Sequence, residues 1–104
     1  MTAPDTLAAL DWQTITCQCH VHPCMTPATH IVTTHAVGHC NDVGLTADGD
    51  QIELLCDICL TMLRARVADG VWRLAKLPGP VECETCGAPI VAVGDIIRDV
   101  RRLA

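Results

Sequence analysis

Large aromatic rings are nearly missing from this sequence of 104 residues: it has no Phe, no Tyr and two Trp, Trp12 and Trp72. Buried rings dominate the packing of most small cores, and a chain this short only just buries enough apolar surface to stand by itself. A second source of stability is therefore expected. Basic residues are missing from residues 1–63, which hold seven acids and no Lys or Arg. All seven basic residues (Arg64, Arg66, Arg73, Lys76, Arg98, Arg101, Arg102) come later, against five acids. With a net charge of −5, that distribution disfavours indiscriminate binding to duplex phosphates. No apolar run approaches the ~20 residues that cross a bilayer; the longest is Pro89–Val93, and Ile52–Leu55 is interrupted by Glu53. No basic stretch precedes the apolar residues near Met1, so neither a secretory signal nor a membrane anchor is expected.

What the sequence has in excess is cysteine: eight, with five histidines. So many Cys in a short chain mean either disulfides in a secreted scaffold or metal in a reduced compartment. Without an export signal, a cytoplasmic location and metal-binding thiolates are the expectation. Two Cys-x2-Cys pairs stand out, Cys56/Cys59 and Cys83/Cys86. Cysteines three apart in a tight turn put both sulfurs on one side, where backbone N–H groups stabilise the thiolates.

The chain reads as one small α+β zinc-binding domain over 1–104, with an N-terminal docking segment at 1–14, a finger core at 17–86 and a C-terminal strand and helix at 87–104. Residues 2–11 predict a short helix with Leu7 and Leu10 on one side. Residues 17–27, crowded with ligand types and prolines, predict a knuckle loop. The β-branched stretch Ala28–Val37 predicts a strand, and Gln51–Leu55 its returning partner across a turn-rich link. Asp57–Ala68 predicts a helix with Leu60, Leu63 and Val67 on one stripe, stopped at Asp69-Gly70. Val71–Leu77 is expected to be extended, Cys83–Cys86 to form a second knuckle, and Ile90–Val93 a short strand. Asp95 is expected to cap a last helix carrying Ile96, Ile97, Val100 and Leu103 inward, with Arg98, Arg101 and Arg102 outward.

Placing Cys56 and Cys59 at a helix start matters, because the positive end of the helix dipole favours thiolates. A knuckle, a β-hairpin and a helix whose first turn supplies two more ligands resembles the treble-clef zinc finger. The resemblance implies a first zinc site of Cys19, Cys24, Cys56 and Cys59. His35 and Cys40 on the hairpin would then join Cys83 and Cys86 in a second. The ligand order is similar to the cross-brace of RING, FYVE and PHD fingers. It departs from RING spacing, because 15 residues separate Cys40 from Cys56, so no ubiquitin-ligase role is carried over. Segments Cys24-Met-Thr-Pro-Ala-Thr-His30, Leu54-Leu-Cys56-Asp-Ile-Cys59-Leu60 and Cys86-Gly-Ala-Pro89 also look like small zinc-finger proteins of actinobacteria and their phages. That likeness implies a bacterial or phage-infected cytoplasm and no defined activity.

Alternatives stay open at this level. Sequential pairing would put Cys56, Cys59, Cys83 and Cys86 on one zinc and the N-terminal Cys and His residues on another. Cys17 competes with Cys19, His39 with His35, and His20 or His22 could substitute in the first knuckle. The bland reading makes Cys17 a bystander and leaves His20, His22 and His30 solvated.

No enzyme is expected. The sequence has no His-Glu-x-x-His, and no Glu stands two residues after a His, as zinc deaminases require. An HNH-like nuclease on a treble clef is the enzyme reading to keep, although the helix offers Thr61, Arg64 and Arg66 where a His pair is usual. Iron–sulfur spacing is not matched, because no third Cys closely follows Cys59. The expectation is a non-catalytic module with two Zn²⁺ ions that mediates protein–protein interaction. The alternative is a nucleic-acid-binding regulator using its arginines, disfavoured by net charge and by the lack of Tyr and Phe for base stacking.

Overall fold

A computed structural model describes residues 15–21 and 23–103. The helix expected at 2–11, and the docking segment at 1–14 that contains it, lie outside the described residues. The fold is a small α+β arrangement: strands β1 (His30–His35) and β2 (Asp50–Leu55), helix α1 (Asp57–Leu74), a 3-10 turn (Val93–Asp95) and strand β3 (Ile97–Arg102). The strands form one antiparallel sheet in the order β2-β1-β3.

The β-branched run of β1 occupies the centre of the sheet, pairing with β2 from His30↔Leu55 to His35↔Asp50. That register sets Asp50 directly across from His35, a cross-strand pair at the hairpin end of the ladder.

The C-terminal segment corrects the expected helix. Residues 97–102 are a strand, because the free edge of β1 pairs with them from Thr34↔Ile97 to His30↔Arg102. A bulge between Thr33 and Thr34 leaves Arg98 as the extra residue on β3. The extra residue places Ile97 and Val100, three apart, on the sheet face that carries Val32. Three-residue apolar spacing normally signals a helix; here the bulge produces it on a strand. Arg98, Arg101 and Arg102 accordingly sit on an edge strand.

Helix α1 begins where expected and runs further. Cys56 is its N-cap, with Sγ accepting from the Cys59 N–H at 3.5 Å, and Asp57 sits in the positive first turn. The helix passes through Gly70, whose φ is not positive, and ends at Leu74. Asp69 and Arg73, one turn apart at 3.0 Å, bridge the expected stop, and Lys76 lies 3.4 Å over the Trp72 ring. The expected extended stretch from Val71 is therefore helical up to Leu74. The expected strand at Ile90–Val93 is not formed; its neighbour Pro89 makes an isolated bridge to Glu82.

The buried cluster joins Val32, Leu55, Leu60 and Ile97 to Cys17, Cys56 and Cys59, with Leu63, Val67 and Val100 packed against it. Sulfur thus occupies the place that aromatic rings take in other small cores. No helix among the described residues is long and apolar enough to cross a membrane.

Candidate metal centres

Two knuckles of one design bring the cysteines in. In the first, Thr16 bridges to Pro27 and Cys17 N donates to Thr26 O at 2.8 Å. In the second, Glu82 bridges to Pro89 and Cys83 N donates to Ala88 O at 2.9 Å. Each ends in Cys-x-x-Pro, Cys24-Met-Thr-Pro27 and Cys86-Gly-Ala-Pro89. In each the leading cysteine follows the residue that bridges to the proline. Gly87, at φ 76°, makes the tight return of the second knuckle and donates to Cys83 O at 2.8 Å.

The first centre groups Cys17, Cys24, Cys56 and Cys59, whose sulfurs all lie within 4.8 Å of one another. Cys24 Sγ is 3.8 Å from Cys56 Sγ. The knuckle brings Cys17 and Cys24, and the first turn of α1 brings Cys56 and Cys59. Cys17 holds the place expected for Cys19, because the leading position of the knuckle is fixed by the Thr16–Pro27 bridge, ahead of Cys19 in the chain. Cys19 is nonetheless packed against the cluster. Burial pushes the Cys17 thiol up. Burial, together with the neighbouring thiols of Cys56, Cys17, Cys19 and Cys24, pushes Cys59 up as well. The Thr26 N–H and hydroxyl draw Cys24 down to about 7.

The second centre groups His35, Cys40, Cys83 and Cys86, again within 4.8 Å. Cys40 Sγ is 3.8 Å from Cys83 Sγ, and His35 Nε2 is 3.4 Å from Cys86 Sγ. The other nitrogen of His35, Nδ1, is 3.1 Å from Asp50 Oδ1. Asp50 in turn accepts from Arg98 Nη1 at 3.0 Å, the bulged residue of β3. His35 and Asp50 are both buried, at 3% and 6% relative exposure. A carboxylate behind a ligating imidazole fixes its tautomer and ring orientation and raises its basicity. The Gly38 N–H reaches Cys83 Sγ at 3.3 Å. With the N–H groups of Cys86 and Thr85 and with His35, it draws the Cys83 thiol down to about 5. Burial and the neighbouring Cys83 and Cys86 push Cys40 up to about 11.

The two sets interleave along the chain: Cys17/Cys24, His35/Cys40, Cys56/Cys59, Cys83/Cys86 serve centres one, two, one and two. His39 stays outside, exposed and 3.5 Å from Asp42. His20 pairs with Glu53 at 3.2 Å, and His30 lies 3.4 Å from Asp57. The Asp50–Arg98 support is the part sequence reasoning missed. An acid at the first position of the returning strand, opposite a candidate ligand, was the available signal. Either group of four donors could hold a metal ion. No protein-family model, curated protein or solved structure matches this chain.

Proposed function

We propose that the chain is a non-catalytic, treble-clef-like zinc module of one domain, in which two interleaved Zn²⁺ ions hold the knuckles, hairpin and helix together for binding to another protein. The observation that carries this reading is the spacing of the donors. Thiolate bonds of about 2.3 Å in a tetrahedron give sulfur–sulfur edges of about 3.8 Å, and one imidazole bond of about 2.05 Å shortens an edge to about 3.6 Å. Three of the donor–donor edges here are 3.8, 3.8 and 3.4 Å and the others lie within 4.8 Å, against about 2.05 Å for a disulfide. None of the eight cysteines is in a disulfide. Three thiolates with one imidazole, or four thiolates, suit zinc, and four protein donors leave no open position for substrate.

Support for a protein partner comes from α1, which buries only Cys59 and Leu60. Ile58, Met62 and Trp72 are exposed apolar side chains on it, the kind of surface that interfaces cover. Native mass spectrometry of the full chain tests the metal reading. Two zinc ions, removed by a strong chelator with loss of the circular-dichroism signal, are expected. A mass equal to the bare chain, or one eight protons lighter from four disulfides, would overturn it. Tight, salt-sensitive association with DNA would favour nucleic acid over protein as the partner.

A further inference from the structure

The two knuckles differ in one respect. Cys83 and Cys86 are separated by two residues, whereas Cys17 and Cys24 are separated by six. The four added residues bring a fifth cysteine to a centre that needs four. Gln18 pins the enlarged loop to β2, its N–H donating to Leu54 O at 2.7 Å and its Oε1 accepting from Leu54 N at 2.9 Å. Directly after this clamp, Cys19 packs against the buried cluster that contains Cys17 and Cys59, and its side chain lines the same groove as Cys59. Cys59 is thus grouped with the sulfurs of Cys17, Cys24 and Cys56 within 4.8 Å, with Cys19 packed beside them.

The two candidates for the same coordination position face different surroundings. Cys17 is buried at 6% exposure. Cys19 is half-buried and lines a groove of about 400 Å³ between the first knuckle, the sheet and α1. His20, Glu53 and Arg66 also line that groove. One thiol thus sits inside the core and the other where the core opens to solvent, with Cys59 grouped with the first and lining the groove beside the second.

We propose that Cys17 and Cys19 are interchangeable fourth ligands of the first centre: Cys17 closes the buried site, and Cys19, at the groove, carries the ion during its entry and exit. In the exchange the metal–sulfur bond to Cys17 breaks and one to Cys19 forms. The proton of the Cys19 thiol passes to the Cys17 sulfur, so charge and proton count are unchanged. An associative route of this kind avoids a three-coordinate ion. Five of the eight cysteines lie in or against the first centre and the other three are the second centre's own donors, so the second has no spare sulfur and should exchange by the slower dissociative route. The inference rests on the reading that the first centre holds zinc.

The test uses the full chain as wild type, C19S, C17S and C17S/C19S, loaded with zinc alone. Stoichiometry is read by native mass spectrometry and transfer rate by an excess of a chromophoric chelator. Wild type should hold two ions and release them in two phases; fewer than two ions would refute the zinc reading itself. With two ions in the wild type, C17S should still hold two, C17S/C19S one, and C19S two with the fast phase slowed at least tenfold. One ion in C17S, or a C19S fast phase at the wild-type rate, would overturn the exchange proposal and leave the zinc reading standing. If C17S fails to fold and binds no metal, the C19S rate decides alone.

Discussion

Replacing Asp50 probes the second centre without touching a ligand. Its carboxylate accepts from His35 Nδ1 at 3.1 Å and from Arg98 Nη1 at 3.0 Å, so its loss frees the imidazole to rotate and strands a guanidinium that is one-third exposed. Loss of such an outer partner weakens metal affinity by roughly 10- to 100-fold, or about 1.4–2.8 kcal/mol. D50N keeps an acceptor for Nδ1–H but no charge for Arg98, and should fall near the tenfold end. D50A removes both and should fall near the hundredfold end. Competition with a chromophoric chelator, read for each centre separately, measures the loss. The control is His35→Cys, because a thiolate needs no tautomer: in that background D50N should lose most of its effect, a coupling that a double-mutant cycle isolates. An unchanged second-centre affinity in D50A would refute the reasoning. So would a D50N penalty as large in the His35→Cys background as in the wild type, because the carboxylate would then act on the fold in general.

Gly49 has φ 78°, and a Cβ there would lie 2.5 Å from Cys40 Cβ and 2.7 Å from Cys40 O. G49A should cost about 1–2 kcal/mol from the left-handed backbone alone and displace Cys40, so native mass spectrometry should find the second ion lost first. The metal-free chain loses its fold, so its thiols take the ordinary value of about 8.5 and stay protonated at pH 7. Uptake of two zinc ions by seven thiol ligands should therefore release close to seven protons. Titration calorimetry in buffers of different ionisation enthalpy counts them, and a release of four or fewer would contradict the seven-thiolate donor set. The Asp95 carboxylate accepts from the N–H groups of Val91 and Ala92, both at 2.8 Å, which lower its pKa. A depressed folded-state pKa stabilises above the unfolded value of about 3.9 and loses that contribution as pH falls through the folded value. D95N should thus lower Tm by a constant amount from pH 5.5 to 7.5; a difference that changes across that window would assign the effect to another group.

The hairpin and the start of α1 were legible because their signals are local: a β-branched run, a turn-rich link, and a cysteine pair ahead of an apolar stripe at helical spacing. Cys83 and Cys86, three residues apart, declared themselves as a knuckle for the same reason. Tertiary pairing decided what sequence spacing did not. Ile97 and Val100 imitate a helical face because a bulge at Arg98 restores them to one side of a strand, and nothing in residues 95–103 alone announces the open edge of β1. Gly70 reads as a stop, yet a glycine ends a helix only when the backbone turns left-handed there, and the Asp69–Arg73 pair carries α1 across it. Cys17 and Cys19 could not be ranked by spacing to Cys24. The bridge from Thr16 to Pro27 ranks them, and its counterpart at Glu82 and Pro89 becomes recognisable only when both Cys-x-x-Pro turns are seen closed.

Interleaving of the two centres is the claim on which the rest depends, and cadmium substitution tests it most directly. In the ¹¹³Cd-loaded full chain, each cadmium resonance should couple through bonds only to protons of its own ligands. One should correlate with Cys24, Cys56 and Cys59 together with Cys17 or, after exchange, Cys19. The other should correlate with His35, Cys40, Cys83 and Cys86. A single cadmium correlated with Cys56, Cys59, Cys83 and Cys86 together would contradict the interleaved arrangement and establish sequential pairing instead.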